Sequence, residues 1–332
     1  MTAPADLTER FLLENLDIRG QVVRLGPLWR AIVSRRDYPD ELLGLLGEFA
    51  ALAVLIGSGL KHPGRAVLQV LGQGPISLAV ADCTRDLALR AMVKAALTPD
   101  PSPASGRGEQ GIATASGRGE QSIATASGRG EQGIATASGR GERSTIHEWF
   151  PTGRLVLTIE NAQTARHFQS IVPLEGATLA ECFERYFDRS EQVPTHLWVH
   201  ASRESVGALI LQKLPKADEK DTSGWARVQQ LAAQRASLSL GRGAGGEGPS
   251  FDVATLLTTL FPEDDVRLFK PFPVSDGCGR SEEKVHAMLK GLGRKEVEAT
   301  LAEHGVVKVH DELCNQEYRL TAADVAKLFE GA

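Results

Sequence analysis

Residues 41–60, ELLGLLGEFAALAVLIGSGL, hold two acidic side chains and no basic one. A helix that apolar on every side belongs inside a protein or a membrane. Its most apolar run, Phe49 to Leu60, follows Glu48 and precedes Lys61. That run falls short of the ~20 residues a bilayer needs, so the segment is read as a largely buried core helix. Its neighbours are short alternating segments. Gln21–Leu25 reads as a strand, and Tyr38-Pro39-Asp40 breaks the chain before the helix. Ala66–Leu71, Ile76–Ala81 and Leu87–Val93 are split by Gly72-Gln73-Gly74-Pro75 and Thr84-Arg85-Asp86, the pattern of an antiparallel meander. Leu155–Glu160 and Gln169–Leu174 resume the strands. A helix over 179–188 follows, opened by a Thr178/Glu181 capping box, with Leu179, Cys182, Phe183, Tyr186 and Phe187 on one face. Leu197–Ala201 and Gly207–Lys213 read as a hairpin. Mixed order with antiparallel strands predicts an α+β domain over 1–213.

An 11-residue repeat interrupts that domain. Ala104–Thr114 recurs at 115–125 and 126–136, and a fourth copy begins at 137. Each copy has one Ile among glycines, so no apolar seam exists and 98–144 is expected to be a disordered insertion. Loop closure entropy grows slowly enough with length for a stable domain to carry it. From 214 to 265 the chain is charged, then weakly helical over 225–240, then glycine-rich. It ends in a short apolar helix with Leu256, Leu257, Leu260 and Phe261. So thin an apolar content predicts a metastable linker that orders only against something else. The remainder, 266–332, reads as a small α+β module with three helices capped by Ser281, Gly293, Gly305 and Thr321/Asp324. Two short strands lie at Val306–Val309 and Glu317–Leu320. It is below the size at which a core usually suffices.

Composition narrows the function classes. The 332 residues carry a net charge of −5, which gives no electrostatic reason to bind nucleic acid or an anionic membrane. Four cysteines are too few for a secreted disulfide scaffold, and MTAPADLTER lacks the pattern of a signal peptide. A soluble protein of the reducing cytoplasm is expected. Three G-x-G-x-x-G matches, starting at Gly106, Gly128 and Gly241, lack the strand before and helix after that a dinucleotide site requires. Asp82, Arg85 and Asp86 beside Cys83 read as a meander turn, and Cys182 as a core thiol. With no nucleophile–base arrangement, a hydrolase or transferase is disfavoured and the chain is read as no enzyme. Cys278 and Cys314 differ from the other two thiols. They sit in the smallest and least self-sufficient module, which points to metal or redox chemistry, with His310 and Asp311 as nearby donors.

Several blocks together resemble the 33 kDa chaperonin family, bacterial redox-regulated holdase chaperones. They include Val23–Pro27, Asp37–Pro39, Leu46–Glu48, Gly74–Asp82, Ala88–Arg90, Ile171–Gly176 and Tyr186–Thr195. Cys278–Val285 and Cys314–Leu320 complete them. The resemblance covers most of the chain outside the insertion and the glycine-rich linker. It implies a protein that binds unfolding or oxidatively damaged polypeptides without ATP, often as a dimer. It further implies one zinc ion held by a C-x-C and a C-x-x-C pair, lost when oxidation forms two disulfides and unfolds the module and linker.

This chain departs from that pattern. The second thiol of the first pair is Arg280, and the first thiol of the second pair is Asp311. Three outcomes stay open. Zinc is held by Cys278, Cys314 and Asp311, with His310 or water fourth. Alternatively, the module folds without metal through an Arg280–Asp311 ion pair, the preferred reading. Or Cys278 and Cys314 form a disulfide, which requires Cα atoms within ~7 Å. The expectation is a holdase whose redox control is weakened and whose activity follows temperature more than peroxide. Trp225, Leu231, Leu256, Leu257, Leu260 and Phe261 would shield its client surface. The alternative is a zinc or thiol redox sensor that signals to a protein partner.

Overall fold

The computed structural model describes residues 5–95, 145–240 and 252–330. The expected repeat insertion at 98–144 lies outside the described residues, as does the glycine-rich part of the linker. The first hairpin joins β1 (Leu7–Leu13) to β2 (Ile18–Leu25). A short helix α1 (Pro27–Ser34) follows, then the apolar helix α2 (Asp40–Ser58). The predicted meander is β3 (Gly64–Leu71), β4 (Ile76–Thr84) and β5 (Ala88–Ala95), antiparallel throughout. After the one-turn helix α3 (Ile146–Trp149), β6 (Arg154–Asn161) pairs with β3, and β7 (Arg166–Val172) with β6. Helix α4 (Leu179–Tyr186) ends in a π-helical turn at Phe187–Glu191. The hairpin of β8 (Thr195–Ala201) and β9 (Val206–Lys213) closes the segment read as the α+β domain.

Two six-stranded sheets result. One runs β10-β1-β2-β9-β8, with β11 also on β1, and the other runs β12-β5-β4-β3-β6-β7. Helix α2 packs on β3, β4 and β5 of one sheet and on β2, β8 and β9 of the other. This placement explains its composition. Leu46, Phe49, Leu52 and Val54 are wholly buried from several directions. Gly47 permits the close approach, because a Cβ there would lie 2.4 Å from the Ala201 Cβ. By length and composition α2 alone among the described helices could cross a membrane, but 72% of that window is buried inside the protein. The Glu48 carboxylate accepts the Leu179 N–H at 2.7 Å, so the acidic residue within the apolar helix α2 caps α4.

The linker begins with α5 (Ala217–Lys220) and α6 (Gly224–Leu240) and resumes with α7 (Val253–Leu260). The residues just after it return to the sheets. β10 (Val266–Leu268) and β11 (Phe272–Pro273) pair antiparallel with β1, and β12 (Ser275–Asp276) pairs parallel with β5. The module read as 266–332 therefore places three short strands from its first eleven residues in the N-terminal sheets. Its remainder is α8 (Glu282–Leu292), α9 (Arg294–His304), the hairpin β13 (Val307–Asp311) and β14 (Gln316–Leu320), and α10 (Ala322–Leu328). Nine buried apolar side chains form its separate core.

Candidate functional site

Sheet β10-β1-β2-β9-β8 is buried on both faces, and β9 shows it most directly. Val206, Ala208 and Ile210 join the core around α2, while Leu209 and Leu211 join a second cluster on the opposite face. A strand covered on both sides loses the apolar–polar alternation, as Val206–Leu211 does. The cover on the second face is the linker. Val228 and Ala232 of α6, Val253, Leu256, Leu257 and Leu260 of α7, and Phe261 pack on Leu7, Phe11, Leu13, Ile18 and Val22. All six side chains expected to shield a client surface meet here, with Trp225 and Leu231 at the half-buried margin. The Trp225 ring lies 5.8 Å from that of His196, which in turn lies 5.8 Å from Trp198.

The energetics of α7 make this cover easy to lift. Burying Leu256, Leu257, Leu260 and Phe261 contributes ~1.5–3 kcal/mol each, and ordering the eight helical residues opposes it with ~1–2 kcal/mol each. The totals, both of order 10 kcal/mol, nearly cancel. What decides the balance is polar and was missed by sequence reasoning. The Asp264 side chain is fully buried and accepts two bonds from the Arg227 guanidinium, at 2.6 and 3.0 Å. It accepts a third from Asn15 Nδ2 at 3.0 Å, and Asn15 Oδ1 accepts the Asp265 N–H. The carboxylate raises the Arg227 pKa through that hydrogen bond. One group thus ties α6, the end of α7 and the β1–β2 turn together. Nothing local marks it, since the partners stand 37 and 249 positions away.

In the C-terminal module Cys278 and Cys314 are joined in a disulfide, with Cα atoms 5.4 Å apart. Asp276 Oδ1 accepts the Cys278 N–H at 2.8 Å, and Asp311 Oδ1 accepts the Cys314 N–H at 3.1 Å. The preferred Arg280–Asp311 ion pair does not form. The Arg280 guanidinium lies 5.0 Å from the centre of the Tyr318 ring, a cation–π contact, while Asp311 is occupied capping the β13–β14 turn. The donors do not fit zinc either. Sulfurs bonded to each other are not thiolate ligands, and His310 is exposed on a strand where Val309 and Asp311 are the partly buried residues. Among the described residues no three His, Cys, Asp or Glu side chains converge on a metal position.

The remaining thiols are inert. Burial, with Asp82 adding to it, pushes the Cys83 thiol up to about 12, and burial likewise raises that of Cys182. Asp82 is instead structural. It accepts bidentate bonds from Arg90 at 3.0 and 2.6 Å, beside the backbone of Gly277, where a Cβ would lie 2.7 Å from the Arg90 Cγ. Arg85 donates to the Leu60 carbonyl in the turn expected there.

Comparison with known proteins places this arrangement. The model of the Hsp33 protein family matches residues 6–321. The chain is 32% identical over 324 residues to the 33 kDa chaperonin of Nitrosococcus oceani, covering 98% of this chain and 94% of that protein. It is 31% identical over 327 residues to the one from Methylobacillus flagellatus, with the same coverage of 98% and 94%. The crystal structure of the 33 kDa chaperonin from Thermotoga maritima superposes with a TM-score of 0.70 at 18% identity, over 98% of both chains, and so shares the fold.

Proposed function

The chain belongs to the Hsp33 family of chaperones, and from that premise we propose that it is an ATP-independent holdase for unfolding polypeptides. The observation that supports this reading is the linker cover. A continuous apolar sheet face, carrying Phe11, Leu13, Ile18 and Val22, lies under two helices whose docking is close to energetic balance. Displacing α6 and α7 opens a surface suited to apolar segments of a client, and re-docking closes it. None of these steps calls for nucleotide chemistry.

Redox control in the form implied by four zinc-bound thiols has lost two of its members at Arg280 and Asp311. Heat, which shifts a near-balanced local opening, is then the stronger trigger. The reading is tested by light scattering of a heat-unfolding client at low molar ratio of chaperone. Suppression without ATP or peroxide, rising with temperature, is expected. A strict requirement for an oxidant would overturn the weakened control, and no suppression at any temperature would overturn the holdase.

A further inference from the structure

A cavity of about 340 Å³ opens between α8, β14 and α10 in the C-terminal module, and neither cysteine lines it. Four permanent cations line it from four segments: Arg280 before α8, Lys290 on α8, Arg319 on β14 and Lys327 on α10. Two carboxylates, Glu282 and Asp324, share the lining. In a chain of net charge −5 this is a local concentration of positive charge. Arg319 pairs with Glu317. Asp324 accepts the Thr321 N–H and hydroxyl at 2.9 and 2.7 Å, so its oxygens serve the start of α10. Those bonds lower its pKa most, and the charges of Lys327 and His286 add to the effect. Among the described residues, Arg280, Lys290 and Lys327 have no carboxylate at ion-pair distance. Arg280 is nonetheless held in place. Its guanidinium lies 5.0 Å from the Tyr318 ring centre. The Tyr318 hydroxyl in turn donates to Gln316 Oε1 at 3.0 Å and accepts the Ser281 N–H at 3.2 Å. A stack of this kind fixes the plane of the guanidinium without engaging any of its N–H donors. Arg280 stands where the resemblance implies a zinc thiol, so the change that removed a metal ligand also supplied a cation.

We propose that this cavity binds a short phosphate chain, either a free inorganic oligophosphate or the triphosphate tail of a nucleotide. Its size suits a ligand of small-molecule dimensions and not a folded polypeptide or a duplex. The donor set selects phosphate. A lone carboxylate engages one cation and leaves the others facing one another. A chain of linked phosphates spreads its charge along its length and answers Arg280, Lys290 and Lys327 together. The guanidinium fork matches two phosphate oxygens, while the ammonium groups act as point charges that tolerate some displacement. The helix ends do not carry the site, because Ser281 and Asp324 already serve the first turns of α8 and α10. Tyr318 and Leu328 give the cavity an apolar side, on which a nucleoside finds surface to rest and an inorganic chain does not. Occupancy ties α8, β14 and α10 together across their like charges. It stabilises the module by mass action, since the unfolded chain keeps no such site. The inference concerns the module's own surface and stands whether or not the chain holds clients.

Titration calorimetry on the full-length protein, in low-salt buffer without divalent cations, tests this with sodium tripolyphosphate, ATP, orthophosphate and citrate. One tripolyphosphate per chain is expected, with affinity falling as salt is added. Orthophosphate and citrate should bind at least roughly tenfold more weakly. ATP binding tighter than tripolyphosphate assigns the site to a nucleotide, and equal or weaker binding assigns it to the phosphate chain alone. Lys290→Gln with Lys327→Gln should weaken tripolyphosphate roughly 10²-fold, and Arg280→Gln roughly tenfold, at about one charge-assisted contact per residue. Lys295→Gln removes the same charge from α9, outside the cavity, and should change affinity by no more than about twofold. With tripolyphosphate bound, amide exchange should slow in β14 and α10 and stay unchanged in α2. Absence of saturable binding, citrate as tight as tripolyphosphate, or equal losses from Lys295→Gln and Lys290→Gln would overturn the proposal. All four substituted side chains are exposed, and the ligand series on the unsubstituted protein stands even where a variant folds poorly.

Discussion

Helix α2 is enclosed by two sheets, and Leu46, Phe49 and Leu52 at its centre are wholly buried. The C-terminal module gathers nine apolar side chains, each still 2–8% exposed, from three helices and a hairpin. The first region draws its stability mainly from burial. The second is too small for that and leans on one covalent link and a few polar contacts. Between them, the linker is held by apolar contacts close to balance and by one buried carboxylate. The chain thus grades from a core that is costly to disturb to a periphery that opens cheaply, and the proposed activity occupies the cheap end.

The comparison breaks if damage at one end is felt at the other. Phe49→Ala should cost ~3–5 kcal/mol and lower the main thermal transition of the whole protein. Leu289→Ala in the module should cost ~2–4 kcal/mol but appear only as faster exchange and proteolysis beyond residue 278. If calorimetry shows the main transition falling equally, core and module are one cooperative unit and the grading is wrong. Asp264→Ala removes the linker's buried acceptor and takes away the partner of the Arg227 guanidinium and of Asn15 Nδ2, at ~2–3 kcal/mol. Protease nicking within 224–260 and client capture should both begin at lower temperature, whereas unchanged capture would mean the linker is not the cover.

The smallest effect is one of pH. Burial, and then the charge of Asp252 at the start of α7, raise the pKa of Glu9 on β1. A carboxyl that holds its proton more tightly folded than unfolded disfavours the fold above both values. That penalty fades as pH falls through the raised one. Docking of α7 should therefore tighten slightly on mild acidification. Glu9→Gln should stabilise it at neutral pH by no more than ~0.5 kcal/mol, and a loss of protection in α7 on that change would reverse the assignment.

Elements whose cause is local were legible in the sequence. Residues 41–60 became α2 at Asp40–Ser58, and the module's helices begin and end at the residues expected from Ser281, Gly293, Gly305 and Thr321. Elements caused from a distance were not. Helix α1 opens at Pro27 because the Asp6 carboxylate, 20 positions earlier, accepts the Gly26 N–H. β1 was hidden by the polar look of the N-terminus, and β10, β11 and β12 are too short to show a period and exist only by pairing. Thr178 does cap α4, but Glu181 returns its bond to the Ala177 N–H and not to Thr178, so the reciprocal box is incomplete. At the candidate site, the residues to examine were readable. Their pairing stood only as one of three open outcomes, since the separation of Cys278 and Cys314 is set by how the β13–β14 hairpin packs and not by local sequence.

The register Leu13↔Val266 also has a consequence for biosynthesis. The first strand to leave the ribosome waits until about four-fifths of the chain has been made before its outer neighbour exists. For most of that interval the sticky side of the sheet has no lid, because α6 and α7 are translated only near its end. Each newly made molecule passes through the uncovered form before it reaches the covered one, and so must be kept from aggregating with its siblings during its own synthesis.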